Sequence, residues 1–158
     1  GDTDWIRELV NELGQVSFWK LFLKPGRPFA FGHINSHQGN VPFFGLPGNP
    51  VAAAITALQL LWPALQLLEG QQDPELFPRI KVKLANALAR RPGRPELARA
   101  RLEVDASGEL MARVSDSQAS SRIGSLVNSD LLLEIPAQTG GLEAGESLWA
   151  QLMRTRLL

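Results

Sequence analysis

The sequence contains no cysteine among its 158 residues. This absence excludes a disulfide framework, a thiolate metal site and a cysteine nucleophile. It is also compatible with a reducing compartment, and we therefore expect the protein to be cytoplasmic.

Net charge is absent as well, because sixteen basic residues balance sixteen acidic ones. Without a global electrostatic field, we expect neither nucleic acid nor an anionic membrane as a partner. Any preference for anions must come from the local placement of cations.

The first residues lack the charged segment and apolar run that form a secretion signal. The longest apolar stretch, residues 50–68, is interrupted by polar residues and Pro63, and we interpret it as a core helix rather than a membrane span. The sequence also has no initiating methionine and enters a helical pattern within four residues. We therefore expect a fragment of a longer protein.

The first half of the chain has the pattern of an α/β domain. Apolar residues at helical spacing over 4–13, followed by Gly14, predict a short amphipathic helix. Apolar runs over 15–24, 28–34 and 41–47 predict strands, with "NSHQGN" as a polar turn before the last one.

A second helix is predicted to begin directly after "GNP", residues 48–50. Asn49 is the expected N-cap, and Pro50 suits the first helical position, where its missing N–H costs nothing. Pro63 should kink this helix or divide it.

The second half has a different texture. A polar stretch over 70–78 is the expected linker, and short β-like runs follow it at intervals of about ten residues. The runs "LARARLEVD" and "LMARVS" should form a hairpin across "ASG". The sequence therefore predicts an α/β portion over 1–76 and an all-β module over 77–158.

Two lysines stand four residues apart in the predicted strand over 15–24. On a strand, Lys20 and Lys24 would share one face, with stems about 13 Å apart at a rise of roughly 3.3 Å per residue. That spacing suits an extended ligand with two anionic groups. An edge strand that carries lysines on its solvated face is the alternative.

The segment "GLPGNP", residues 45–50, joins a strand end to a helix start. Glycines there let backbone N–H groups approach an anion where the helix dipole favours negative charge. A tight structural connection is the alternative.

Several other polar residues have two interpretations. Asp2 and Asp4 are helix caps or metal ligands, whereas His33 and His37 lack zinc-site spacing and are expected to be solvated turn residues. The basic cluster over 90–101 is a solvated hairpin or an anion or partner contact. Three residues further along the chain, Ser121, Arg122 and Ser125, bind an oxyanion or line a polar turn.

Taken together, the motifs resemble one family. "KLFLKPGRP" followed by "GLPGNP", then "PGRPELAR" and "SSRIGSLVNSDLLLEIP", resembles the C-terminal part of the molybdopterin molybdenumtransferases, which include the E domain of gephyrin. The resemblance covers essentially the whole chain. It implies an α/β pterin-binding domain followed by a small β-barrel-like domain.

The resemblance also implies a reaction. Members of the family insert molybdate into adenylylated molybdopterin and release AMP, using a divalent cation that is usually Mg²⁺, and the full-length protein would be a homodimer. Lys20 and Lys24 resemble the basic pair that faces the anions. Asp4, sixteen residues before Lys20, resembles the acidic residue of the active site and is the implied metal ligand.

Further binding residues are implied by the same resemblance. Arg27 stands at the strand end as a cation where many relatives have lysine. Residues that resemble the family's loop beside the site are Gly45, Pro47, Gly48, Asn49 and Pro50. Residues that resemble positions facing a partner subunit's cleft are Arg94, Ser121, Arg122 and Ser125.

The sequence departs from the family pattern in one respect. The glycine-rich phosphate loop that precedes this segment in the family is missing before Gly1, which is why we expect a fragment with part of one active site. A non-catalytic pterin-binding or scaffold module is the alternative to a transferase. Retention of both lysines and Asp4 favours the transferase.

Overall fold

The computed structural model describes residues 3–115, 118 and 122–153, and for Thr3 and Asp4 it describes the backbone alone. The first described element is helix α1 (Thr3–Leu13). It is followed by strands β1 (Gly14–Lys20), β2 (Pro28–Ser36) and β3 (Gly39–Gly45). The strands form an antiparallel sheet in the order β1-β2-β3. The helix and the three predicted strands are confirmed.

The predicted strand over 15–24 is wrong in its length, because β1 ends at Lys20. Lys20 pairs with Pro28, and the Leu21 N–H donates to the Arg27 carbonyl at 2.6 Å. The residues between them must therefore reverse the chain so that β2 can return antiparallel to β1. Lys24 lies in this reversal, and the two lysines do not share one strand face.

Residues 50–68 form one helical rod with a wide turn in its middle. It consists of α2 (Pro50–Thr56), a π-helical segment (Ala57–Leu61) and α3 (Trp62–Leu68). The Trp62 N–H donates to the carbonyl of Ala57, five residues before it. Proline clashes with the carbonyl four residues earlier, and a π turn displaces that carbonyl. The interruption expected at Pro63 is present as this π-helical segment, and the rod continues through it as one helix.

This rod is long and apolar enough, by length and composition, to cross a membrane. The interpretation as a core helix holds for one face only. Its buried residues are Val51, Ala52, Ile55, Thr56 and Gln66. Its exposed large apolar residues are Leu60, Trp62, Leu65, Leu67 and Leu68.

The second half forms a closed barrel. Its strands are β4 (Arg79–Leu84), β5 (Glu96–Val104), β6 (Leu110–Val114), β7 (Leu131–Ile135) and β8 (Ser147–Leu152), in the order β4-β6-β5-β7-β8. The β5–β6 hairpin is confirmed. A short helix, α4 (Gly124–Val127), was not predicted because four residues carry no helical periodicity.

The barrel core consists of small and branched apolar residues from all five strands. The fully buried members include Leu84, Ala98, Ala112, Leu133 and Ala150. The inward face of each strand supplies this core, while the starts of β5 and β7 are buried on both faces.

The helical rod packs against the outside of the barrel. Val51 and Ile55 of α2 form an apolar cluster with Leu97 of β5 and Leu132 of β7. The side chains of Gln59 and Gln151 exchange hydrogen bonds nearby, at 2.7 and 3.2 Å. The sheet-and-helix portion and the barrel are therefore in direct contact.

Residues 71–78 connect the two portions without a helix or strand. The buried Gln66 side chain accepts from the Glu75 N–H at 2.6 Å and donates to its carbonyl at 3.2 Å. The boundary between 76 and 77 stays a prediction.

We expect a glutamate-specific protease to cut this chain first after Glu75, because that residue is exposed in the connection. The two fragments should still elute together in gel filtration and separate only in denaturant, since the apolar cluster joins them. Glu75→Gln is the matched control. Early cleavage after Glu103 or Glu134 in the barrel would contradict the expectation.

Gly32 is expected to tolerate no side chain. It pairs with Val16 in the sheet, and an added Cβ would lie 1.9 Å from the Gln15 carbonyl oxygen. Gly32→Ala should therefore lower the free energy of unfolding by about 1–3 kcal/mol, measured by urea denaturation. Gly124→Ala is the control, since an added Cβ there meets nothing within 4 Å; equal stability of both variants would contradict this reading.

Candidate functional site

Lys24 contacts the barrel through its backbone. Its N–H donates to the Pro95 carbonyl at 2.9 Å, and its own carbonyl accepts from the Leu97 N–H at 2.8 Å. These two bonds form a short parallel bridge to Glu96. The β1–β2 connection is thereby attached to the first residues of β5.

The Lys24 side chain is held at the same place. Its ammonium lies 3.1 Å from Oε1 of Glu96, whose side chain is only 5% exposed, while that of Lys24 is 48% exposed. The ion pair is therefore buried on the carboxylate side and open to solvent on the ammonium side.

A second cation holds the other oxygen of Glu96. Nε of Arg90, a side chain that is also 5% exposed, lies 3.3 Å from Oε2. The Arg90 guanidinium also donates to the carbonyls of Arg94, Pro136 and Thr139. Arg90 thus holds three backbone carbonyls from two segments while it neutralises a buried carboxylate.

Two more arginines of the 90–101 cluster have structural contacts. Arg94 donates from Nη1 to the Leu23 carbonyl at 3.2 Å, which adds a further bond between the β1–β2 connection and the barrel. Arg99 is fully buried, and burial lowers the pKa of its guanidinium from the ordinary value while the Glu96 carboxylate opposes that shift. The solvated hairpin considered for this cluster is wrong for Arg90 and Arg99, because both are buried.

The two motifs of the sequence analysis meet in space. Gly26 has a positive φ of 111°, and a Cβ there would lie 2.7 Å from Oγ1 of Thr56 and 3.9 Å from the Pro47 ring. The segment K-P-G-R-P therefore packs directly against "GLPGNP" and the helix that it opens. Only glycine fits this turn without strain.

The helix start after "GLPGNP" already has an acceptor. Oδ1 of Asn49 accepts from the N–H groups of Val51 and Ala52 at 3.0 and 3.1 Å. The predicted N-cap and the position of Pro50 are confirmed. These two donors would have to leave Asn49 before they could bind an anion.

The glycines and proline of the loop have different surroundings. A Cβ on Gly45 would lie 2.9 Å from Cβ of Ala30, whereas Gly48 has open space around it. Pro47 is buried and Gly48 is exposed. Of these, Gly45 and Pro47 serve packing.

The remaining predicted cations are exposed. Lys20 ends β1, and Arg27 directly precedes β2, its carbonyl accepting from Leu21. Both lie on the β1–β2 connection that also carries Lys24. The structure therefore keeps the three cations on one short segment, although not on one strand face.

Ser125 of α4 belongs to a different cleft. The Ser125 hydroxyl donates to the Arg122 carbonyl at 2.8 Å and so closes the turn before the helix. Ser125 also lines a cleft of about 420 Å³. Its other lining residues are Asn86, Arg101, Arg113, Val114, Ser115 and Asn128.

Of the two arginines that line this cleft, Arg101 belongs to the basic cluster over 90–101, whereas sequence reasoning missed Arg113. Arg101 donates from Nε to the Asn128 carbonyl at 3.1 Å. Arg113 lies 2.6 Å from Glu103, and this hydrogen-bonded pair lowers the pKa of Glu103 and raises that of Arg113. The alternation "ARAR" in β5 indicates that Arg101 lies on the outer face, whereas Arg113 lies in β6, outside that alternation.

The metal prediction cannot be built from the described side chains. Asp2 and Ser121 lie outside the described residues, and the Asp4 side chain does too. Within the described part of the chain, no group of three His, Asp or Glu residues is arranged to hold a metal ion.

Comparison with known proteins identifies the family. Residues 1–67 match the model of a probable molybdopterin binding domain, and residues 81–152 match the MoeA C-terminal region, domain IV. This chain belongs to the MoeA family. Both models match in the order that the family resemblance implied.

Curated relatives of the MoeA-family chain extend over nearly its whole length. It is 32% identical over 148 residues to a molybdopterin molybdenumtransferase of Haemophilus influenzae, covering 94% of this chain and 36% of the relative. It is 34% identical to the molybdenum cofactor synthesis protein cinnamon of Drosophila melanogaster, covering 98% of this chain and 26% of that protein. The chain thus spans about a third or less of these relatives.

Solved structures support the same assignment. A molybdopterin biosynthesis MoeA protein of Pyrococcus horikoshii superimposes with a TM-score of 0.69 at 28% identity, covering 94% of this chain and 34% of that one. A second structure of a protein with that description, at 24% identity and a TM-score of 0.73, shows the fold alone. The α/β portion followed by a barrel is confirmed.

We expect Asn49→Ala to destabilise the MoeA-family chain by about 0.5–2 kcal/mol in urea denaturation, because two helix N–H groups lose their acceptor. Asn49→Asp should restore most of that stability, since a carboxylate oxygen caps equally well. If Asn49→Ala unfolds like the unchanged chain, the capping role is wrong.

Proposed function

We propose that this chain is part of a molybdopterin molybdenumtransferase, a protein that inserts molybdate into adenylylated molybdopterin and releases AMP in molybdenum cofactor biosynthesis. The observation that carries the proposal is the packing of Gly26 against Pro47 and Thr56, which joins the two family motifs into one surface. The family match and the names of the relatives support it.

The cations of the β1–β2 connection would bind the anionic groups. A pterin phosphate, the AMP phosphate and molybdate form an extended set of anions, and Lys20, Lys24 and Arg27 present three cations on one segment. Cations fixed before the reaction stabilise negative charge that builds up as molybdate approaches. Lys24 is the best fixed of the three, because its backbone and its ammonium both contact the barrel.

Other parts of the proposal rest on the family resemblance. Asp4 would be the acidic catalytic residue and a ligand for Mg²⁺, and the loop from Gly45 to Pro50 would border the substrates. A partner copy in a homodimer would bring Ser121, Arg122 and Ser125 toward the cleft. We place the protein in the cytoplasm.

A non-catalytic pterin-binding or scaffold module is the second candidate. One observation favours it: the Lys24 ammonium and the Asn49 amide, two proposed ligand contacts, both have partners within the protein. A module that only binds would need no free cation directed at molybdate.

The experiment replaces the matching region of the Haemophilus influenzae relative with this chain and measures molybdate-dependent AMP release. We expect the chimera to be active. Lys24→Ala should lower its turnover by roughly a hundred- to a thousandfold, as expected for removal of a preorganised charge worth about 2.7–4 kcal/mol. The isolated chain should give only background release, because catalysis needs residues held in register across the whole site.

Lys83→Ala is the matched control in the same chimera. Lys83 also pairs with a glutamate, Glu109, at 2.7 Å, but on the barrel surface, so its loss should change turnover by less than about fivefold, or 1 kcal/mol. An inactive chimera that still binds molybdopterin would favour the scaffold. Full turnover by the Lys24→Ala chimera would overturn the role of Lys24.

A further inference from the structure

The Lys24–Glu96 ion pair is unequal in its two halves. Glu96 is almost fully buried and keeps a second cation, Arg90, at 3.3 Å. Lys24 is about half exposed, and its ammonium has water as an alternative partner. If the Lys24 ammonium moves away, the Glu96 carboxylate still has Arg90 as a partner. Breaking a buried ion pair is usually unfavourable because it leaves one buried charge uncompensated.

Arg90 has no comparable freedom. It is buried, and besides Glu96 it donates to the carbonyls of Arg94, Pro136 and Thr139. Leaving Glu96 would require the guanidinium to give up a site made by three backbone carbonyls. Arg90 is thus a fixed partner of the carboxylate, and Lys24 is an exchangeable one.

The backbone of Lys24 stays in place when its side chain moves. The bonds to Pro95 and Leu97 involve only main-chain atoms, so the rotation of the flexible four-carbon stem leaves them intact. The ammonium can therefore change partner while its Cα remains attached to the barrel.

We propose that Glu96 is a resident counter-ion that competes with an incoming dianionic oxyanion for the Lys24 ammonium, while Arg90 retains the carboxylate. This rests on the proposed function, in which Lys24 binds an anion. A dianion attracts the ammonium more strongly than the single charge of Glu96 does at the same distance. Competition with Glu96 thereby raises the anion concentration that is needed to bind the Lys24 ammonium.

The test measures the affinity of this chain for molybdate and for inorganic phosphate by calorimetry, at constant ionic strength. Glu96→Gln removes the competing charge and should tighten binding of both anions about three- to tenfold, as expected for loss of a partly exposed ion pair. In the Lys24→Ala background, the same substitution should give no such gain, because the competed group is gone.

Glu109→Gln is the control. It removes the partner of Lys83 in a pair where both side chains are 42% exposed, and it should leave both affinities within twofold. A gain in the Glu109→Gln chain equal to that in the Glu96→Gln chain would show a mere change of net charge and overturn the proposal.

The outcomes also separate this proposal from the proposed function. If Lys24→Ala weakens anion binding but Glu96→Gln does not tighten it, the competition is wrong and Lys24 remains an anion ligand. If Lys24→Ala changes nothing, both are wrong.

A measurement on the unchanged chain covers the case in which Glu96→Gln does not fold. The sequence has four lysines, so the side-chain ε-methylene signals can be assigned by substitution. During a phosphate titration the Lys24 signal should shift and the Lys83 signal should not. A stationary Lys24 signal at saturating phosphate would overturn the proposal.

Discussion

The attachment of the β1–β2 connection to the start of β5 is the contact on which the arrangement of this molecule depends. Two main-chain hydrogen bonds at Lys24, one side-chain bond from Arg94 and the ion pair with Glu96 hold a surface turn against a barrel strand. The apolar cluster of α2, β5 and β7 lies beside it. Besides this attachment, that cluster and the Gln59–Gln151 pair join the sheet-and-helix portion to the barrel.

The role of Glu96 in this contact is to position two cations rather than to stabilise the fold. A buried ion pair often contributes no more to folding than apolar residues of the same volume would. Glu96 does, however, fix the places of two cations at once, one buried and one half exposed. Its value in this fold is geometric, since apolar side chains could not hold an ammonium at a defined point on the surface.

Features that depend on neighbours in the chain could be predicted from the sequence. The Asn49 cap, Pro50 at the helix start, the interruption near Pro63 and the β5–β6 hairpin each follow from residues within a few positions. The barrel strands were recognisable as short β-like runs separated by turn residues, although β5 and β7 do not alternate strictly, since Glu96–Ala100 and Leu131–Leu133 are buried throughout. Their closure into a barrel was implied only by the family resemblance, and their order β4-β6-β5-β7-β8 was not predicted.

The site was harder to predict because its contacts are distant in sequence. Lys24 lies outside the strand that was predicted for it, because its backbone bonds to Pro95 and Leu97, about seventy residues away in the chain. Arg90 is buried because its acceptors come from Pro136 and Thr139, which no local pattern connects to it. From the sequence alone, Lys24 and the arginine cluster over 90–101 are interpreted as solvated charges, because the carboxylate and carbonyl groups that bind them are distant in the chain.

The π turn at Ala57–Leu61 relieves the steric clash of Pro63, and it also sets the direction in which the later residues of the rod point. A π turn acts like one extra residue in the helical phase, which rotates everything after it by roughly 100° about the axis. Gln66 lies beyond that rotation, and its two bonds to the Glu75 backbone anchor the connection that leads into the barrel. The rotation of the rod thus determines where the chain enters the barrel. Removal of a single residue from the π turn would place Gln66 on a different side of the rod, away from the Glu75 backbone.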